Sequence, residues 1–132
     1  MATPILVTAA IIENKGKFLI TQRLKESHNG LRWEFPGGKL NFGEEPRECL
    51  EREIMEELGI KVEAEEILEY SSHVYSEEKH IVLLGFRCKF ISGKIKKKEI
   101  NDFAWVLLDE MQKYDITEAD LPFIEKLKGE VF

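Results

Sequence analysis

GKLNFGEEPRECLEREIMEELGI, residues 38–60, decides how this 132-residue chain is read. From Pro46 to Leu58 it predicts a helix with two contradictory faces. Leu50, Ile54 and Leu58 recur every four residues, an apolar stripe that needs a core to face. Glu53, Glu56 and Glu57 stand at i, i+3 and i+4, and Glu48 and Glu51 add to the crowding of carboxylates. Like charges at that spacing destabilise a helix by about 0.2–0.5 kcal/mol per pair. Arg52 supplies one positive charge, which offsets only part of this. Two readings fit: a solvated acidic face, or an oxygen-rich platform for a hard cation such as Mg²⁺ or Mn²⁺. Mg²⁺ takes one or two carboxylates and completes its shell with water and phosphate oxygens, so the second reading points to phosphate chemistry.

The residues upstream favour the second reading. Pro36-Gly37-Gly38-Lys39 predicts a turn whose glycines let backbone approach a ligand closely. Gly43 and Glu44 follow in a short loop, Pro46 suits the first helical turn, and Gly59 suits the C-cap. From Gly38 to Ile60 the pattern G-x5-E-x7-R-E-I-M-E-E-L-G-I resembles the signature of the Nudix family at every fixed position.

On either side, the pattern is that of a mixed fold. Ile5–Ile12 is nearly continuous in apolar character, as in a strand buried on both faces, and Asn14-Lys15-Gly16 turns it into a second strand, Lys17–Arg23. Glu26–Leu31 predicts a loop and Trp33–Phe35 a short extended segment. Ile67–Tyr75 and Ile81–Phe90 predict strands joined across Ser76–Lys79, and Phe103–Leu108 predicts a last strand. Thr117–Leu127 predicts a terminal helix with Leu121, Ile124 and Leu127 on one stripe. The basic run Lys94–Lys98 has two readings, a solvated edge that discourages sheet pairing or a phosphate contact. Strands around a central helix, with another helix at the end, imply a mixed sheet packed between helices.

Composition narrows the function classes. The length suits one domain over residues 1–132, able to bury about two-thirds of its unfolded surface without staples. A net charge of −6 argues against a nucleic-acid polymer as partner. Cys49 and Cys88 have no metal-type spacing and read as reduced packing residues of a cytoplasmic protein. Neither a signal peptide nor a membrane-length apolar run is expected.

What the resemblance implies goes further. Nudix domains adopt an α/β/α sandwich, and the similarity is strongest to the MutT branch, hydrolases that clear oxidised or otherwise non-standard nucleoside triphosphates. By that resemblance Glu53, Glu56, Glu57, Glu99 and the Gly37 carbonyl bind Mg²⁺, with Mn²⁺ a substitute. Glu53 orients or deprotonates the attacking water, with Glu44 and Glu99 as other candidate bases. Arg52 pairs with Glu44 or Glu56, and Lys39 reaches either phosphate or solvent. The positions of Arg23, His28, Glu34, Phe35 and Asp120 match nucleotide contacts. Phe35 reads equally as core, and Asp120 as a helix N-cap. Water attack on the β-phosphorus would release nucleoside monophosphate and pyrophosphate. The other readings are a Nudix hydrolase of ADP-ribose, nucleotide sugars or dinucleoside polyphosphates, and a non-catalytic nucleotide sensor. No proline lies between Pro46 and Pro122, where many ADP-ribose enzymes carry one. A monomer or homodimer acting on a small nucleotide is expected.

Overall fold

The computed structural model describes residues 2–130. Its strands are Ile5–Asn14 (β1), Lys17–Gln22 (β2), Trp33–Glu34 (β3), Gly37–Lys39 (β4), Lys61–Ser76 (β5), Lys79–Ser92 (β6) and Asp102–Leu107 (β7). The helices are Pro46–Leu58 (α1) and Leu121–Gly129 (α2), with 3₁₀ turns at Leu108–Lys113 and Glu118–Asp120.

β1 is apolar without interruption because both its faces are covered. Ala9 and Ile11 turn to one core and Ala10 and Ile12 to the other, the period of two expected for a strand. It runs parallel to β6, from Ile5 opposite Ile81 to Ile12 opposite Cys88. β4 pairs antiparallel with its opposite edge. At its far end β1 turns back into β2, which pairs antiparallel with β3 and β7, while β5 lies antiparallel on β6.

One core joins Leu50, Ile54 and Leu58 of α1 to Ile12, Leu19 and Phe86. The other joins Phe123, Ile124 and Leu127 of α2 to Leu68, Leu83 and Val106. The result is the expected α/β/α sandwich around a mixed sheet. Leu50, Ile54 and Leu58 are fully buried, and each contributes about 1.5–3 kcal/mol. That outweighs the few tenths lost to each pair of neighbouring glutamates, so α1 forms despite its acidic face. Its caps follow the sequence: the Glu45 side chain accepts from the Arg47 and Glu48 N–H groups, and Gly59 adopts φ 70°.

Several boundaries differ from the sequence reading. Gly37–Lys39 is a strand, because Gly37 lacks the Cβ that would overlap the Thr8 carbonyl and so lies close against β1. β5 begins at Lys61, ahead of the expected Ile67. Its first half alternates buried Val62 and Ala64 with exposed charged residues, and residues such as Glu and Ala carry little strand propensity. Register shifts on either side of Ile67 leave that residue half-exposed. The terminal helix starts at Leu121, not Thr117, and its buried stripe holds Phe123 in place of the exposed Leu121. Lys94–Lys98 folds over the end of α1, where the Lys96 N–H donates to the Leu58 carbonyl at 2.8 Å. Both cysteines are free and buried. Among the described residues no helix is long and apolar enough to cross a membrane.

Candidate active site

A cleft of about 460 Å³ opens beside β4, between α1 and the turn that precedes α2. Gly37, Lys39, Glu53 and Glu57 line it, and so do Arg23, His28, Glu34, Phe35 and Asp120. Glu44, Arg52, Glu56 and Glu99 do not line it.

Arg52 organises the acidic face. Its Nε and Nη2 fork onto Glu44 at 2.7 and 3.0 Å, and Nη1 donates to Glu53 at 2.9 Å and to Glu56 at 3.1 Å. It thus serves both partners the sequence offered and Glu53 as well. The Arg52 hydrogen bonds, seconded by the Asn41 N–H, hold the Glu44 carboxyl down at about 2. A group that acidic is a poor proton acceptor near neutrality, which leaves Glu44 as an anchor for Arg52.

Glu57 is in the opposite situation. Burial, then the charges of Glu34, Glu53 and Glu99, push its carboxyl up to about 9. Burial also raises Glu53, against the pull of Arg52. The loop carrying Glu99 is tied to α1 by the Lys98 and Glu99 N–H groups, which donate to the Glu57 carbonyl at 3.2 and 3.3 Å.

This concentration of oxygen ligands and negative charge fits a hard divalent cation. The carboxylates are not fully gathered, however. Among the described residues no three His, Cys, Asp or Glu side chains stand together as a ligand set, and Arg52 holds Glu53 and Glu56. Ion capture would have to draw those two away from the guanidinium.

A second cluster gathers Arg23, Glu34, His28 and Asp120. Arg23 donates through Nη1 to both oxygens of Glu34 at 3.0 Å and, through Nε, to the His28 carbonyl at 2.6 Å. Burial raises Glu34 while Arg23 lowers it. His28 sits edge-on to Tyr75 at 5.1 Å, and burial followed by the charges of Lys79 and Arg23 lowers its pKa. Asp120 is buried and accepts from the Phe35 N–H at 3.0 Å and from the Thr117 hydroxyl at 2.5 Å. Its side chain makes no cap bond to α2, which corrects the N-cap reading. Burial, then Glu34, pushes it up to about 7. Phe35 is core, packed edge-on against Phe123 at 6.1 Å, and it also borders the cleft.

Thr8, Lys79 and Thr117 also line the cleft, though the sequence does not single them out, and Tyr75, which the resemblance sets near a tyrosine of dinucleoside-polyphosphate enzymes, lines it too. For Thr8 there was one signal, a lone hydroxyl in an apolar run. Tyr75, Lys79 and Thr117 reach the cleft through long-range packing that local patterns do not encode.

Known proteins resemble this chain along nearly its whole length. A family model described as NUDIX domain matches residues 3–127. The chain is 35% identical over 120 residues to a CTP pyrophosphohydrolase from Escherichia coli, covering 90% of this chain and 87% of that one. It is 31% identical over 123 residues to an 8-oxo-dGTP diphosphatase of the same organism, covering 92% and 95%. Among solved structures, a MutT protein from Methanosarcina mazei superposes with a TM-score of 0.88 at 27% identity, covering 98% and 96%.

Proposed function

The chain belongs to the Nudix family, within its MutT-like pyrophosphohydrolases, and on that premise we propose that it cleaves nucleoside or deoxynucleoside triphosphates, non-standard or oxidised ones of the 8-oxo-dGTP kind, to monophosphate and pyrophosphate. The observation that carries this reading is the bracing of Glu44, Glu53 and Glu56 by one guanidinium, with Glu57 buried beside them in the cleft. Relatives with 8-oxo-dGTP and CTP in their names support a triphosphate substrate and leave the base open.

Nudix hydrolases work with a divalent metal, and here the ion is Mg²⁺, replaceable by Mn²⁺. Glu53, Glu56, Glu57, Glu99 and the Gly37 carbonyl would hold it, and when bound it would offset phosphate charge and acidify a coordinated water. Glu53 would take the proton of the attacking water. Before the ion binds, Arg52 holds Glu53 and Glu56 and is itself anchored by Glu44, a supporting role of the kind that orients ligands. Lys39, at the cleft edge, offsets phosphate charge. Arg23 and Glu34 form a half-buried ion pair that lines the cleft beside the nucleotide and holds the His28 loop. Asp120 and the Phe35 edge face the base. A protonated Asp120 can donate as well as accept a hydrogen bond, whereas an ionised one only accepts.

The protein acts as a single domain in the cytoplasm, as a monomer or homodimer, on free nucleotides and not on nucleic-acid polymers. A panel of canonical and oxidised nucleoside triphosphates with Mg²⁺, followed by pyrophosphate release, tests the reading. Higher kcat/KM for ADP-ribose, a nucleotide sugar or a dinucleoside polyphosphate than for every triphosphate would overturn it.

A further inference from the structure

Thr8 lies in the middle of an apolar strand and is 1% exposed. Valine has nearly its shape, so a buried hydroxyl here needs a reason: left unpaired it costs roughly 1–3 kcal/mol. Its Oγ1 donates to the Gly38 carbonyl at 3.2 Å and touches Cys49 Sγ at 3.6 Å. Cys49, fully buried on α1, donates to the next carbonyl, that of Lys39, at 3.3 Å. Two consecutive peptides of β4 are thus gripped from beneath, one by β1 and one by α1.

The same peptides touch the acidic face from above. Glu53's carboxyl lies where a Cβ on Gly38 would be, and Arg52 Nη2 donates to the Lys39 carbonyl at 3.4 Å. A shift of β4 would therefore displace Glu53 and Arg52 together. We propose that Thr8 and Cys49 are positioning residues for catalysis: their hydroxyl and thiol fix the Gly38 and Lys39 peptides, and through them the setting of Glu53 and Arg52. This rests on the catalytic roles assigned to those two residues.

The test compares Thr8→Val, Thr8→Ser and Cys49→Ala with the unmodified full chain. Turnover is measured on the best triphosphate, and Mn²⁺ binding by calorimetry without nucleotide. A lost hydrogen bond of ordinary strength corresponds to about a tenfold effect. Thr8→Val and Cys49→Ala should lower kcat by about that factor and weaken Mn²⁺ binding similarly, with KM within about twofold. Thr8→Ser, which keeps the hydroxyl, should restore both. Should Thr8→Val not fold, Thr8→Ala carries the same comparison. If the Thr8 and Cys49 variants keep kcat and Mn²⁺ affinity near the unmodified values, or if Thr8→Ser fails to restore them, the inference is wrong. A chain that hydrolyses no triphosphate would refute the proposed function instead, and the Mn²⁺ titration would still decide this point.

Discussion

The carboxyl of Glu53 lies over the Cα of Gly38, so close that a Cβ at residue 38 would overlap it. The glycine is there for a side chain from α1 and not only for the flexibility of its own backbone. Gly38→Ala should push Glu53 out of place and lower kcat by about 10²-fold, since misplacement by an ångström costs about that much. Steady-state kinetics with a thermal melt checks it, and an alanine variant of full activity would show that Glu53's position does not matter.

Glu57 supplies the most exposed claim about chemistry. Replacing it with Gln removes a charge that the surrounding carboxylates oppose, while keeping size and hydrogen-bonding capacity. Glu57→Gln should abolish most Mg²⁺-dependent hydrolysis yet raise the metal-free Tm at alkaline pH by several degrees. Unchanged turnover would count decisively against a metal role for this residue.

The same electrostatics make stability depend on pH. Asp120 and Glu57 both titrate above their usual values, at about 7 and about 9. Each therefore contributes stability that is fully present below the ordinary carboxyl range and is lost as pH rises through those raised values. Metal-free protein should melt highest in mild acid and progressively lower toward pH 9. Mg²⁺ binds the ionised form, so it should raise Tm more at about pH 9 than at about pH 5. Melts at the two pH values, with and without the ion, measure this; equal gains would contradict an ion beside Glu57. Asp120→Asn should flatten the part of the decline between the ordinary carboxyl range and about pH 7.

These expectations trace back to features of unequal legibility. The helix α1, its Gly59 C-cap and its acidic face are encoded by local spacing and legible directly, whereas the expected gathering of its glutamates is incomplete, because Arg52 holds Glu53 and Glu56. Arg52's partners were half-read: the sequence offered Glu44 or Glu56, and the folded guanidinium serves both because its five donors reach in several directions. The β4 pairing was hidden, because Gly-Gly signals turn chemistry locally and its strand role appears only against Thr8. Asp120 looked like a cap for want of any hint that Phe35 and Thr117 lay beside it. What escaped was set by contacts between residues distant in sequence, such as the 85 positions separating Phe35 from Asp120.

One such contact runs from the sheet through α2 to the cleft. Phe123 of α2 lies over Gly85 of β6, where an added Cβ would come within 2.7 Å of the ring, and it meets Phe35 edge-on. Gly85→Ala should displace that ring and cost about 1–3 kcal/mol through overpacking, lowering Tm by roughly 3–15 °C. Because Phe35 borders the cleft while α1, which carries the carboxylates, is seated through Leu50, Ile54 and Leu58 in the other core, the nucleotide KM should rise while kcat changes little. Adding Phe123→Leu, which makes room for the methyl group, should recover part of both losses. A variant that loses stability with KM untouched would show that the base side of the cleft is insulated from α2.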